Sequence, residues 1–118
     1  MIVEDDALLA ELYRTKFATA GYLVEVYGNA ESALLAIKQT PPDIITLDIL
    51  LPGHNGLWLL KELQVQQIRV PVIMLTNLAE ADFAMPPKLR QALGVVGYFV
   101  KTQSTPAEVL QGVQGALV

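Results

Sequence analysis

Short apolar runs alternate with amphipathic segments along the 118 residues. Residues at helical spacing predict helices in the amphipathic segments, and the apolar runs between them are short enough to be strands. Strands that alternate with helices are typical of βα units around a parallel sheet. The pattern therefore predicts an α/β fold, a three-layer αβα sandwich with five helices and five parallel strands. The predicted strands are Ile2–Glu4, Leu23–Tyr27, Ile44–Leu47, Val70–Leu75 and Tyr98–Val100.

Polar and special residues set the predicted limits of the helices. Gly21 ends the first helix, Asn29 caps the second, and Pro41-Pro42 prevents its continuation. The third helix is expected from about Leu57 to Gln64. The prolines of Met85-Pro86-Pro87 delay the fourth helix, within residues 77–94, to about Pro87 or Lys88.

The last helix has the clearest start signal. Thr105 is a predicted N-cap, Pro106 occupies the first helical position, and Glu108 completes a capping box. The predicted buried face of this helix consists of Val109, Leu110, Val113 and Leu117.

Two strands have a predictable place in the sheet. The charged side chain of Glu25, within Leu23–Tyr27, must stay in contact with solvent, which indicates a strand near an edge of the sheet. Val70–Leu75 is wholly apolar, which indicates a central strand covered on both faces.

Polar side chains follow four of the apolar runs. Asp48 follows the third run, Glu4-Asp5-Asp6 the first, Thr76 the fourth and Lys101 the fifth. Because the carboxyl ends of parallel strands share one edge of the sheet, these residues are expected to converge there. Asp6 is the exception, since it is better placed to cap the first helix.

Such a set of residues suits a hard cation and a phosphoryl group. Clustered carboxylates repel one another unless a cation joins them, and Mg²⁺ prefers oxygen ligands. Lys101 supplies a positive charge for a phosphoryl oxygen, and Thr76 supplies a hydroxyl donor.

Composition narrows the class of protein. The net charge of −4 argues against direct contact with nucleic acid, and the apolar runs are too short to cross a membrane. The absence of cysteine excludes disulfides and thiolate metal sites and fits the cytoplasm. The length and apolar content predict a single domain over residues 1–118.

Four motifs in order carry a family resemblance. The segments IVEDD, PDIITLDILLPGHNG, VPVIMLT and GYFVK make the chain resemble the receiver domain of two-component response regulators over essentially its full length. The resemblance implies a flavodoxin-like, CheY-like sheet of order 2-1-3-4-5 and a phosphorylation-dependent signalling switch. Such a domain catalyses only its own phosphorylation and dephosphorylation and is not a metabolic enzyme.

The resemblance also implies a role for each site residue. Asp48 accepts a phosphoryl group from a histidine kinase or phosphotransfer protein. Glu4, Asp5, Asp48 and the backbone carbonyl of Leu50 hold Mg²⁺. Lys101 and Thr76 contact the phosphate, and Thr76 and Tyr98 form the switch. The signal leaves through the face formed by the predicted fourth helix, the fifth strand and the last helix, toward an effector domain, an output protein or a second copy of the chain.

Three positions depart from the family pattern. Thr102 stands where most members have proline, and we expect a trans Lys101–Thr102 bond because cis non-proline bonds cost about 2.5–4 kcal/mol. Leu50 and Leu78 are apolar where hydrolysis is commonly tuned, which predicts a long-lived acyl phosphate.

Alternative functions remain at this point. A pseudo-receiver would signal by protein contacts without phosphorylation. A haloacid-dehalogenase-type phosphatase would need a second Asp where Leu50 stands, and a flavodoxin-like nucleotide or flavin binder would need a loop rich in Gly, Ser or Thr after strand one.

His54 is expected to be exposed and not a ligand, and Trp58 to pack partly on its own helix.

Overall fold

The computed structural model describes residues 1–83 and 85–118, and within them it has a five-stranded parallel sheet of order β2-β1-β3-β4-β5. The predicted fold class and strand order are confirmed. The strands are β1 (Ile2–Val3), β2 (Val26–Tyr27), β3 (Ile45–Leu47), β4 (Val72–Thr76) and β5 (Val95–Val100). The helices are α1 (Ala7–Thr19), α2 (Ala30–Gln39), α3 (Gly56–Val65), α4 (Glu80–Phe83), α5 (Pro87–Ala92) and α6 (Pro106–Ala116), and a 3₁₀ turn spans Lys101–Gln103.

Strand β4 shows how the two faces of the sheet are covered. Val72 and Met74 pack into the core on the side of α2 and α3, whereas Ile73 and Leu75 pack on the side of α1 and α6. This alternation follows from the two-residue repeat of a strand. All five residues of β4 are buried, as expected of a central strand.

All five strands differ in length from the prediction, and β2 and β5 differ the most. Strand β2 lies at the edge, as predicted, but contains only Val26–Tyr27, because β1 offers just two pairing residues. Strand β5 begins at Val95, three residues earlier than predicted, since Val95 and Gly97 pair with β4. The glycine interrupted the apolar run from which the strand was predicted.

The predicted number of helices is wrong, because the connection before the predicted fourth helix contains a short helix of its own. The segment forms two short helices, α4 and α5, so that the described residues contain six α-helices instead of five. Two consecutive prolines, Pro86 and Pro87, cannot donate the backbone hydrogen bonds that would continue α4. The predicted start at Pro87 is confirmed.

The predicted helix caps are confirmed. The side chain of Asp6 accepts hydrogen bonds from the N–H groups of Leu8 and Leu9, and Thr105 forms the capping box with Glu108. The buried face of α6 is shorter than predicted and does not include Leu117. Leu117 is 37% exposed because the helix has ended before it.

Two further expectations concern the backbone and the membrane. The Lys101–Thr102 peptide bond is trans, as expected. None of the helices within residues 1–83 and 85–118 is both long and apolar enough to span a bilayer.

Candidate functional site

Neighbouring strands place two buried carboxylates side by side. Strands β1 and β3 are paired in the sheet, and Glu4 and Asp48 are the residues that follow their ends. The Asp48 N–H donates to the carbonyl of Val3 at 3.1 Å, which keeps the two chain segments in register beyond the last strand residues. Both side chains are almost fully buried, with 5% of Glu4 and 3% of Asp48 exposed. The sheet itself therefore brings the two acids together.

Asp5 completes an acidic cluster at this edge. Carboxylate oxygens of Glu4, Asp5 and Asp48 all lie within 4.8 Å of one another. Asp5 is exposed, so the cluster is open to solvent on one side. Three such oxygens at this separation can bind one hard divalent cation.

Lys101 neutralises much of this negative charge. Its Nζ donates to Oδ2 of Asp48 at 2.6 Å and also forms an ion pair with Oε1 of Glu4. Burial lowers the pKa of Lys101, but the hydrogen bonds to Asp48 and Glu4 outweigh burial and raise the pKa above its ordinary value. The ammonium group therefore stays charged while 11% of the side chain is exposed.

Glu4 is the member of the cluster whose ionised form is disfavoured. Burial raises the pKa of its carboxyl group, and the nearby Asp48 acts in the same direction. Hydrogen bonds from Lys101 and from the Asp6 N–H, which lies 3.1 Å from Oε2, oppose this shift only in part. The ionised site would gain stability from a further positive charge.

The loop after β3 holds the second oxygen of Asp48. The Leu50 N–H donates to Oδ1 of Asp48 at 3.0 Å. Gly56 lies so close to the loop start that a Cβ there would overlap the carbonyl oxygen of Asp48. Asn55 caps α3 through the N–H of Trp58 at 2.9 Å. The turn residues thus shape the loop and orient the carboxylate.

Thr76 and Tyr98 meet at one residue, Leu78. Thr76 is fully buried, and its Oγ1 accepts a hydrogen bond from the Leu78 N–H at 3.3 Å. The Tyr98 hydroxyl donates to the Leu78 carbonyl at 2.7 Å. Tyr98 is half-buried, as predicted from its strand position, and this burial raises its pKa.

A cluster around Arg90 was not predicted from the sequence. Arg90 pairs with Glu80 at 2.6 Å, and its guanidinium lies over the rings of Phe83 and Tyr98. The sequence contained only a weak signal, because these residues lie on three different elements, two short helices and the edge strand β5.

A second unpredicted contact joins the loop after β3 to α2. Oε1 of Glu31 accepts the backbone N–H of His54 at 3.0 Å and lies 2.6 Å from its Nδ1. Hydrogen bonds from its own backbone and from His54 hold the pKa of Glu31 below its ordinary value. His54 is exposed, as expected, and its ring stacks on Trp58 with 4.0 Å between centroids. Trp58 therefore packs on His54, two residues before its helix begins at Gly56.

The chain is similar in sequence to curated response regulators and transcriptional regulators. The chain is 32% identical over 117 residues to the transcriptional regulatory protein BaeR of Escherichia coli O6:H1, covering 99% of this chain and 47% of BaeR. It is 37% identical over 76 residues to the DNA-binding response regulator MtrA of Mycobacterium tuberculosis, covering 64% of this chain and 33% of MtrA. The chain thus spans a third to a half of the length of these relatives.

Solved receiver domains have the same fold. The beryllofluoride-activated N-terminal receiver domain of RstA from Klebsiella pneumoniae superposes with a TM-score of 0.80 at 30% identity, covering 98% of this chain and 95% of that one. The receiver domain of the Francisella response regulator 1452 gives a TM-score of 0.85 at 28% identity, covering 98% and 93%.

The model of the response regulator receiver domain family matches residues 1–114, nearly the whole chain. Together with the sheet order and the acids at its carboxyl edge, this match shows that the chain belongs to the response regulator receiver domains of two-component systems.

Proposed function

We propose that the chain is a phosphorylation-dependent switch that accepts a phosphoryl group on Asp48 from a histidine kinase or phosphotransfer protein. The observation that carries the proposal is the 2.6 Å contact between Lys101 Nζ and Asp48 Oδ2 beside the acidic cluster. A fixed positive charge next to a carboxylate favours attack by that carboxylate on a phosphoryl group, which is why the contact supports the proposal. Family membership supports the proposal.

The transfer requires one bond to form and one to break. An oxygen of Asp48 attacks the phosphorus, the O–P bond forms, and the P–N bond to the donor imidazole breaks with its electron pair remaining on nitrogen. Lys101 stabilises the added negative charge because its ammonium group already lies at the acceptor oxygen. The hydroxyl of Thr76 is a second donor for the phosphoryl oxygens.

The residues present fit a Mg²⁺ ion. Carboxylates of Glu4, Asp5 and Asp48 would hold it, together with the backbone carbonyl of Leu50. The proximity of the three carboxylates supports this assignment, since oxygens of all three lie within 4.8 Å of one another. When bound, the metal neutralises charge on the phosphoryl oxygens during transfer.

The proposed output surface consists of α5, β5 and α6. Thr76 ends β4, the strand next to β3, and both Thr76 and Tyr98 bond to Leu78 at the start of the segment that leads to α5. Strand β5 is an edge strand whose Val96 is 58% exposed, which suits contact with a partner. MtrA and BaeR are a DNA-binding and a transcriptional regulator. By analogy, the proposed recipient is an effector domain or output protein, with a homodimer through this surface as the other arrangement.

Incubation with acetyl phosphate and Mg²⁺ tests the proposal, with the intact mass as the readout. We expect one added phosphoryl group on the native chain and none on Asp48→Asn. Asp43→Asn is the matched control, because Asp43 precedes β3 at the opposite end of the same strand and is exposed. Phosphorylation that persists in Asp48→Asn would refute the assignment. A native chain that gains no phosphoryl group would favour the pseudo-receiver alternative.

A further inference from the structure

A groove lies between α3 and α5 at the amino edge of the sheet, opposite the edge that carries the acidic cluster. One wall is the end of α3 with the turn that follows it, and the other is one face of α5 with the start of β5. The groove has a volume of about 1180 Å³, and Val70 and Leu93 are buried in its lining. It therefore extends beyond the proposed output surface, which does not include α3.

Backbone contacts hold both walls of the groove in place. The Val72 N–H donates to the carbonyl of Gly94 at 2.7 Å, and the Ile68 N–H donates to that of Leu63 at 2.9 Å. Gly94 has a φ of +78°, and a Cβ there would lie 2.8 Å from the carbonyl oxygen of Val70. The turn before β5 is thus fixed against the turn before β4. Because the groove is already formed, binding requires little ordering of its walls.

The groove is positively charged although the protein as a whole is acidic. Arg69 and Lys88 are exposed and are the charged residues of its lining, to which the described part of the chain contributes no carboxylate. Neither forms an ion pair with any residue of 1–83 or 85–118. The chain as a whole has 12 acidic and 8 basic residues. Two unpaired cations in one groove of such a surface are complementary to the carboxylates of a partner.

The remaining lining residues suit a peptide. Gln64 and Gln67 on one wall and Gln91 on the other are exposed, and each amide group offers both a donor and an acceptor to a peptide backbone. Val96 is 58% exposed and is the residue that the pairing of β5 with β4 skips. An apolar side chain of a ligand can cover it, so the groove offers contacts for charge, backbone and aliphatic groups together.

We propose that this groove binds an acidic segment of a partner protein that carries both carboxylate and aliphatic side chains. The carboxylates contact Arg69 and Lys88, and the aliphatic side chains cover the apolar lining. A small inorganic anion would leave that lining in water, and walls this exposed would bury too little of a small molecule. The inference does not depend on the proposed function, because β4 begins at the groove and reaches the acidic site only at its other end.

Peptides of about ten residues, made of Asp, Glu, Leu and Val in random order, are the probe. The readout is ¹H–¹⁵N NMR of the unphosphorylated native chain, in which the amide signals of the groove, Arg69 and Gln91 among them, should shift with saturation. Peptides with Lys and Arg in place of the acids should bind at least about tenfold more weakly. Peptides with Ser and Asn in place of Leu and Val should also bind more weakly, and equal binding would overturn the inference because any polyanion would then suffice.

Charge reversal in the groove is the second arm of the test. The double variant Arg69→Glu with Lys88→Glu should bind the acidic peptides at least about tenfold more weakly than the native chain. Lys38→Glu with Lys61→Glu has the same net charge and changes exposed residues outside the groove, so it should alter the affinity by less than about threefold. Thermal unfolding of both double variants checks that each is folded.

Three outcomes would overturn the inference in this second arm. Equal weakening by the two double variants would mean that net charge alone attracts the peptides. Peptide-induced shifts confined to residues outside the groove would place the binding site elsewhere. Groove signals that shift with the concentration of the native chain alone would identify a second copy of the chain as the occupant.

Discussion

The ammonium nitrogen of Lys101 lies 2.6 Å from Oδ2 of Asp48, although 53 positions separate the two residues in the sequence. The contact exists because β3 and β5 lie on either side of β4, and their carboxyl ends face the same edge of the sheet. The same ammonium group balances the charge of the buried carboxylates, which stabilises the fold, and lies beside the proposed phosphoryl acceptor.

Replacement of Lys101 by Met should destabilise the metal-free chain by about 3 kcal/mol. The substitution leaves two buried carboxylates, Glu4 and Asp48, without their cation. Urea denaturation measures the loss, and Mg²⁺ should restore part of it by binding only the folded state. Lys61→Met, at an exposed position of α3, should have little effect. Equal stability of the two variants would contradict the role of Lys101 as the counter-ion.

The stability of the metal-free chain should depend on the ionisation of Glu4. The folded state raises the pKa of this carboxyl group above 4.5, mainly through burial, so folding favours its protonated form. The contribution of Glu4 to the free energy of unfolding is complete below about pH 4.5 and is lost as the pH rises through the raised pKa of Glu4. The raised pKa of Lys101 keeps its own contribution constant until the pH exceeds about 10.5.

The comparison with Glu4→Gln isolates this effect from other carboxyl groups. The free energy of unfolding of the native chain, minus that of Glu4→Gln, should fall between pH 4 and pH 8 without metal. Saturating Mg²⁺ should reduce this fall, because a bound cation stabilises the ionised carboxylate. A difference that rises with pH in the metal-free chain would contradict the prediction.

Replacement by alanine of two glycines of α6, Gly112 and Gly115, should change the stability of the fold in opposite directions. A Cβ at Gly112 would lie 2.8 Å from Cε2 of Phe99, so Gly112→Ala should destabilise the fold by about 1–3 kcal/mol through overpacking. Gly115 has nothing within 4 Å of the added atom, and Gly115→Ala should stabilise the helix by up to about 1 kcal/mol. Thermal unfolding of both variants measures the contrast. A stabilising Gly112→Ala would show that α6 can move away from β5.

A polar side chain at Leu50 should shorten the lifetime of the proposed acyl phosphate. Leu50 is 56% exposed beside Asp48 and cannot orient an attacking water. We expect the acyl phosphate of Leu50→Asn to be hydrolysed about tenfold faster than that of the native chain. Decay of the phosphorylated mass after removal of acetyl phosphate measures the rate. Leu35→Asn, an exposed leucine on α2, should decay at the native rate.

The regular part of the fold could be predicted from local patterns. The apolar run of β4, the caps at Asp6 and Asn29 and the capping box of Thr105 all act within a few residues, where propensity and hydrogen bonding are decided locally. The gathering of Glu4, Asp5, Asp48 and Lys101 was predictable too, because each follows a strand and parallel strands end at one edge. Their roles in phosphoryl transfer stay predictions.

The lengths of β2 and β5 depended on more distant partners. Strand β2 can pair only as far as β1 extends, and β5 gains Val95 and Gly97 because β4 offers them backbone partners. Neither limit can be read from the strand's own residues. The prolines predicted where α5 begins, but not that α4 would form a separate helix before them.

The α/β class, the order of the elements and the acids at the carboxyl edge follow from the amino-acid sequence alone, because they depend on local periodicity and on the fixed direction of parallel strands. The positions of Arg90 over Phe83 and Tyr98 and the bond between Glu31 and His54 could be known only from the three-dimensional packing. Such contacts depend on how separate helices and loops pack in three dimensions, and no spacing along the chain encodes that geometry.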